Sequence, residues 1–336
     1  MEISELSYMQ KELLTAISKR IISSLVVIFL IITLIFILVR LGPGDPVQKF
    51  ISPQLSPELA KQVTQSFGLN ESIMSQYFNF IKSLFGGDFG FSYNFRQPVL
   101  YVIKNYFLFT LLFASVSFIL QIIFAYLLVK ISYNKIGKIL DKFLSKTSLA
   151  FFAIPSFVLG LALVYVFSVK IALLPTSGIR SIYHEEFSFA GQIWDYVSHL
   201  ILPIITLSLG GIAVFYRYLR DNVIEIGNKP YIINLKANGL SEKKIFKDHI
   251  IPNAVRPLIS VAGIEFGILL GGALITEVIF SLPGMGRLTV DAIFNRDYPL
   301  VIGCSFIAAL MMITTNFIAD LIKIKLDKRL IKDLLQ

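Results

Sequence analysis

Residues 21–39 read IISSLVVIFLIITLIFILV, a stretch with no charge in it and long enough to cross a hydrocarbon core of about 30 Å as a helix. Five further apolar stretches follow, at roughly 105–129, 148–169, 200–218, 258–280 and 299–322. A chain of 336 residues would otherwise suggest one or two soluble domains, but 55% hydrophobic residues and a mean hydropathy of +0.72 are more apolar than soluble domains are. The fold class is therefore all-α: a polytopic membrane protein with six transmembrane helices. A cleaved signal peptide is the competing reading of the first stretch. Its apolar region would be shorter and would end in a small-x-small site, whereas Arg40-Leu41-Gly42-Pro43-Gly44-Asp45-Pro46 follows here.

Charge orders the spans. The net charge is +9, but the basic residues sit in short segments flanking apolar spans, which argues against nucleic acid as a partner and for loops next to membrane lipid. Lys130, Lys135, Lys138, Lys142 and Lys146 face a single Asp141 in the loop after span two. The loop after span four and the tail are basic as well, and the other loops are sparser. The positive-inside rule then puts both termini in the cytoplasm. The chain divides into a cytoplasmic segment 1–20, span one at 21–41, and a long extracytoplasmic loop 42–103. A five-span core 104–322 and a cytoplasmic tail 323–336 complete it. Cys304, the lone cysteine, lies inside an apolar stretch and reads as a small buried residue; the three histidines show no metal-ligand spacing.

Between spans four and five, residues 228–252 form a polar, basic insert. Local rules read it as two short helices hinged at Gly239. Residues 232–238 suit a helix, and Gly239 stands where a helix end wants positive φ, with Leu240 as the apolar residue after the cap. Ser241 is a good N-cap for the next helix, Glu242 puts negative charge at that helix's positive end, and Pro252 stops it. The product is a cytoplasmic elbow whose apolar residues, Leu235, Leu240, Ile245 and Phe246, need something to pack against. An ordinary solvated loop is the plainer reading of the same pattern.

Three features lie within the spans. Gly263, Gly267 and Gly271 recur every fourth residue, baring one face of span five for a neighbouring span or for a second subunit. Glu265 lies deep in the same span, where a charge costs at least about 2.5 kcal/mol, so it should face protein or water. It pairs with a neighbour such as Arg256, or it lines a path. Glu277, nearer the outer end, is a second candidate for a path. Pro155 inside span three marks a kink. No GxxxxGK[ST] or GxSxG pattern occurs, so the chain shows no sign of binding ATP itself or of being an enzyme.

The insert resembles the EAA loop of permease subunits of bacterial ABC importers, with Gly239 and Ile251-Pro252 at the family's spacing. The acidic-Ala-Ala triplet is not kept; Ile233, Asn234 and Leu235 hold its places. Tyr231, Ala237, Gly239 and Leu240 fit the Tyr-x-x-x-Ala-x-Ala-x-Gly-Leu form of the peptide branch, with Leu235 in place of the first alanine. Arg40–Pro46, Gln76-Tyr77, Gly87-Asp88-Phe89-Gly90-Phe91-Ser92, Pro98-Val99 and the block from Glu277 to Leu288 resemble segments of the dipeptide/oligopeptide/nickel branch, in matching order. The resemblance to the first permease of such systems implies a type I ABC-importer permease fold and no cofactor of its own, since ATP is bound by partner subunits. It implies a second homologous permease, two cytoplasmic ATPases and an extracytoplasmic substrate-binding protein as partners. It makes Tyr231, Leu235, Ala237, Asn238, Gly239, Leu240, Ile245, Phe246, Ile251 and Pro252 the ATPase-coupling elbow. A proton-coupled secondary transporter using Glu265 is the alternative, and a membrane-embedded enzyme a weaker one.

Overall fold

A computed structural model describes residues 2–41, 72–271 and 273–326. Residues 42–71 of the long first loop, with most of the 40–46 motif, and tail residues 327–336 lie outside that description. All regular structure among the described residues is helical, apart from one isolated bridge between Phe91 and Pro98.

Helix α1, Glu2–Leu41, carries the expected polar segment and span one as a single rod. Among its described side chains most apolar ones stay exposed, and Ile32 and Phe36 are the buried ones, as suits a helix facing lipid. Phe36 meets Tyr77 and Phe80 of α2, Ile73–Phe85, at ring separations of 5.2 and 5.4 Å.

Helices α3, Val99–Ser132, and α6, Phe189–Gly227, lie side by side and run in the same direction. Ser208 Oγ donates to the Ser117 carbonyl, and further along Gln121 lies across Gly211. A Cβ at Gly211 would stand 2.2 Å from the Gln121 amide carbon, so any larger residue there would displace the buried Gln121 amide. Both helices outrun the apolar stretches that announced them. Pro203 sits inside α6. The loop before α6 is tied down by Asp195, which accepts from Ser181 N at 2.9 Å and pairs with His184 Nδ1 at 2.7 Å.

Span three is not one kinked rod. Helix α4, Ile139–Ala153, already contains Lys142 and Lys146 of the expected loop. It meets α5, Ser156–Leu163, at a bend of 100°, and a π-helical turn, Val164–Lys170, prolongs α5. The cause is local: Ile154 precedes Pro155 and is extended, at φ −77° and ψ 122°, because proline crowds the helical conformation of the residue before it.

The elbow comprises α7, Pro230–Ala237, α8, Glu242–Ile245, a π-helical turn, Phe246–Ile250, and α9, Ile251–Ala254. Span five then splits into α10, Leu258–Leu270, and α11, Leu274–Ile279. A short helix α12, Met285–Phe294, precedes α13, Tyr298–Leu326. Helices α10 and α13 pack antiparallel, and α1 lies on α13, where Arg20 reaches Asp320 at 2.8 Å. Asp320 also meets Lys323 at 3.7 Å.

Two apolar clusters cap the ends. At the elbow end, Ala125 and Val129 of α3 join Phe215, Tyr216, Leu219 and Val223 of α6. At the other end Val99, Val102 and Ile103 join Met285, Leu288, Leu300 and the buried Cys304. There Asp297 accepts from Ser92 Oγ and Asn94 N, fixing the described end of the first loop to the turn before α13.

Candidate functional site

The elbow is built from the inside outward. After α7 the chain reverses through Gly239 at φ +78°. Leu240 N donates to the Leu235 carbonyl and Gly239 N to the Lys236 carbonyl, the paired bonds of a Schellman ending. Nothing lies within 4 Å of a Cβ placed on Gly239, so its requirement is conformational, not one of space. Ser241 stands at the N-cap of α8, but its hydroxyl makes no capping bond; only its carbonyl accepts, from Lys244 and Ile245. Glu242 turns away from the helix end. It pairs with Lys236 Nζ at 2.9 Å and accepts from Tyr133 Oη at 3.0 Å. The Lys236 hydrogen bond holds the Glu242 carboxyl below the usual carboxylate range, against a smaller opposing effect of burial.

Pro252 does not stop the helix. The π-helical turn before it widens the ladder where proline supplies no N–H and would crowd the preceding turn. Asn253 Nδ2 donates to the His249 carbonyl at 2.7 Å, and α9 continues beyond the proline.

Ile245 and Phe246, which needed something to pack against, face inward. Ile232, Ile245 and Ile250 are fully buried in the chain's own elbow-end cluster, and the Phe246 ring lies 4.4 Å from that of Tyr133. Leu235, Leu240 and Ile251 pack half-buried on the same cluster. An amphipathic helix does not declare which neighbour covers its apolar side, and here the ends of α3 and α6 do so. The outward face holds Tyr231, Ile233, Lys236, Ala237, Asn238 and Gly239. Asn222 Nδ2 donates to the Ala254 carbonyl at 3.0 Å, a further tie between α6 and the elbow.

A second tie lies beside it. Arg220 of α6 grips Asp141 of α4 in a two-pronged pair, with both bonds at 2.7 Å, and Gly137 N donates to the same carboxylate at 2.8 Å. Asp141 is 1% exposed. The lone acid in a run of lysines was the sequence signal for this anchor.

Within the membrane part, the bend of α4–α5, one face of α6 and α10 enclose a two-lobed cleft. The lobe at the bend measures about 330 Å³ and the lobe toward the elbow about 520 Å³, and Phe152, Val214 and Glu265 line both. Glu265 therefore faces a cleft. Arg217 lines the elbow-side lobe; as a residue flanking the elbow in sequence it was not assigned to a path, although it follows Gly210 and Val214 at helical spacing.

Glu277 does not line a path in this structure, contrary to expectation. It is fully buried, and its carboxylate closes the N-terminus of α12, accepting from Gly286 N at 2.7 Å and Arg287 N at 3.1 Å. Thr110 Oγ1 of α3 donates to its other oxygen at 2.8 Å and accepts from Met285 N at 2.8 Å. Backbone amides at a helix start are natural partners for a carboxylate. Gly284 and Gly286 make room for it: a Cβ at Gly284 would stand 2.2 Å from the Glu277 carboxyl carbon. Of the glycine row, Gly263 and Gly267 meet α13 of the same chain, where added Cβ atoms would stand 2.5 Å from Ala319 Cβ and 2.6 Å from Thr315 Oγ1. Gly271 is looser, 3.8 Å from Ala308 Cβ on the same measure.

A helical membrane bundle with a third span broken at a bend of 100°, a cleft at that bend and a structured elbow at one end is the architecture of a transport permease. Two family models match, the binding-protein-dependent transport system inner membrane component over residues 131–332 and its N-terminal component over residues 13–114. The chain belongs to that family, the permeases of ABC importers. It is 33% identical to the oligopeptide transport system permease protein AppB of Bacillus subtilis (strain 168), over 94% of this chain and 98% of that protein. It is 30% identical to the glutathione transport system permease protein GsiC of Escherichia coli (strain K12), over 92% and 96%. An inward facing conformation of the MetNI methionine ABC transporter shares the fold, with a TM-score of 0.54 and 16% identity over 67% of this chain and 96% of that one.

Proposed function

We propose that the chain forms one half of the membrane path of a peptide importer. It pairs with a second homologous permease, and two cytoplasmic ATPases bind and hydrolyse ATP on its behalf. An extracytoplasmic binding protein delivers the peptide to the end opposite the elbow. Both termini and the elbow lie in the cytoplasm of a bacterial cell whose plasma membrane holds the complex. The chain itself performs no catalysis and carries no cofactor.

The observation that carries this reading is the two-sided elbow. Its inner face is locked into α3 and α6, while its outer face presents Tyr231, Ile233 and Ala237–Gly239 to a partner. A groove on an ATPase fits that face in the manner of a helix in a groove. ATP-driven closure of the ATPase pair then displaces the elbow, and its anchors pass the displacement to the spans as a rigid-body switch. The relatives named for oligopeptide and glutathione transport support peptides as the cargo. The test is purification in mild detergent, followed by ATP-dependent uptake of short peptides after reconstitution. A second permease and two ATPases should come with the chain, and uptake should need ATP. A lone chain, or uptake that follows a proton gradient without ATP, would overturn the reading.

A further inference from the structure

The cleft has a chemical character that the family and the fold do not specify. Thr206, Gly210, Val214, Arg217 and Asp221 follow one another at helical spacing and line it along one face of α6. Glu265 of α10 faces the track from the other side and borders both lobes. Among the described residues neither Glu265 nor Arg217 has a hydrogen-bond or ion-pair partner. The other charges nearby are already engaged: Asp221 meets Arg220 at 3.3 Å, and Arg220 is gripped by Asp141. A half-buried carboxylate in a span, with no counter-charge, stands ready for a cation that comes and goes. Arg217 is the matching open guanidinium, about 10 Å along α6 from Gly210 at about 1.5 Å per residue.

Gly210 gives an independent sign that the track is kept clear. A Cβ there would meet nothing within 4 Å, unlike Gly211, whose added Cβ would strike Gln121. Packing therefore does not require a glycine at 210; its absent side chain widens the lobe at the bend.

We infer that this track is a substrate-contacting subsite that holds a zwitterionic ligand by both ends, Glu265 taking its ammonium group and Arg217 its carboxylate. The inference rests on the peptide reading above, and it assigns the permease a share in recognising free peptide termini. Opposite charges on facing walls of the elbow-side lobe would hold a peptide in one orientation as the cleft opens toward either side.

The test uses the complete importer, with its ATPases and binding protein, in proteoliposomes, and a set of alanine peptides from dipeptide to pentapeptide. Glu265→Gln and Arg217→Gln should each lower the maximal uptake rate about tenfold or more, the scale of one lost charge-assisted hydrogen bond. Glu265→Asp and Arg217→Lys should keep most of it. Glu265→Gln should still co-purify with the second permease, which shows that the variant folds and assembles. Full-rate uptake by Glu265→Gln sinks the subsite and leaves the importer standing. Loss of the second permease from that variant also overturns it, by making Glu265 an ion-pair partner at the subunit interface. A wild-type importer that carries none of these peptides overturns the peptide reading itself, and the subsite with it.

Discussion

Removing the Glu277 carboxylate separates a structural clamp from a path-lining charge. Glu277→Ala orphans three donors at once: the buried Thr110 hydroxyl and Gly286 N, and the partly buried Arg287 N. Each unsatisfied buried group costs about 1–3 kcal/mol, so the two buried ones alone set a floor of about 2 kcal/mol. Glu277→Gln is gentler. Its amide oxygen keeps both backbone bonds, while its amide nitrogen cannot accept from the Thr110 hydroxyl, which is left as the one orphaned donor. The cost is then about 1–3 kcal/mol, one orphaned donor instead of three. Thermal melting of the purified complex, with uptake measured on the same samples, reads both. Alanine should lower the melting temperature strongly and take uptake down with it, while glutamine should lower the melting temperature by less and keep most of the uptake. Wild-type melting for the alanine variant, combined with lost uptake for the glutamine variant, would refute the clamp and return Glu277 to the path.

Other perturbations test the elbow and its anchors. Gly239→Ala forces an L residue into positive φ at about 1–2 kcal/mol with no clash added, so coupled uptake should fall while expression and membrane insertion persist; Gly239→Asn should lose less. Asp141→Ala leaves the Arg220 guanidinium without its two-pronged partner and should cost about 3–5 kcal/mol in melting experiments, and the double variant with Arg220→Met should recover part of it. Glu242 has a folded value below its ordinary one, so its contribution to the elbow is complete above the usual carboxylate range. That contribution is lost as pH falls through the folded value. Hydrogen exchange at residues 236–244 should therefore be insensitive between about pH 6 and 8 and rise only under acid conditions, once intrinsic exchange is corrected.

Local chemistry announced the elbow better than its surroundings. The bend at Gly239 was legible because a Gly-Leu pair after a helical run has one good solution, the Schellman ending. The side on which Ile245 and Phe246 are buried was not, because an apolar stripe is blind to its partner. Pro252 followed a local rule, and tertiary packing with a π-helical turn overrode it. Pro155 marked the break in span three but not its direction; beyond the 100° bend α5 packs against α6 and α11, contacts far apart in sequence. Glu277 stood out as a charge that needed company; its company is the start of a helix that returns only after a turn at 280–284, which no periodicity reveals. Arg217 was hidden by its neighbours, since a basic residue beside a basic loop reads as a flank until the face it shares with Gly210 is seen.

The central claim, that the elbow binds its ATPase through the outer face and its own spans through the inner one, is tested most directly by cysteine cross-linking in the assembled importer. The native Cys304 is buried, so single added cysteines can be read against it. Ala237→Cys and Asn238→Cys should cross-link to an ATPase subunit, with a yield that changes when ATP is bound. Ile245→Cys should not, because that position is covered by α3 and α6. Cross-links to the ATPase from position 245, with none from 237 or 238, would contradict the account.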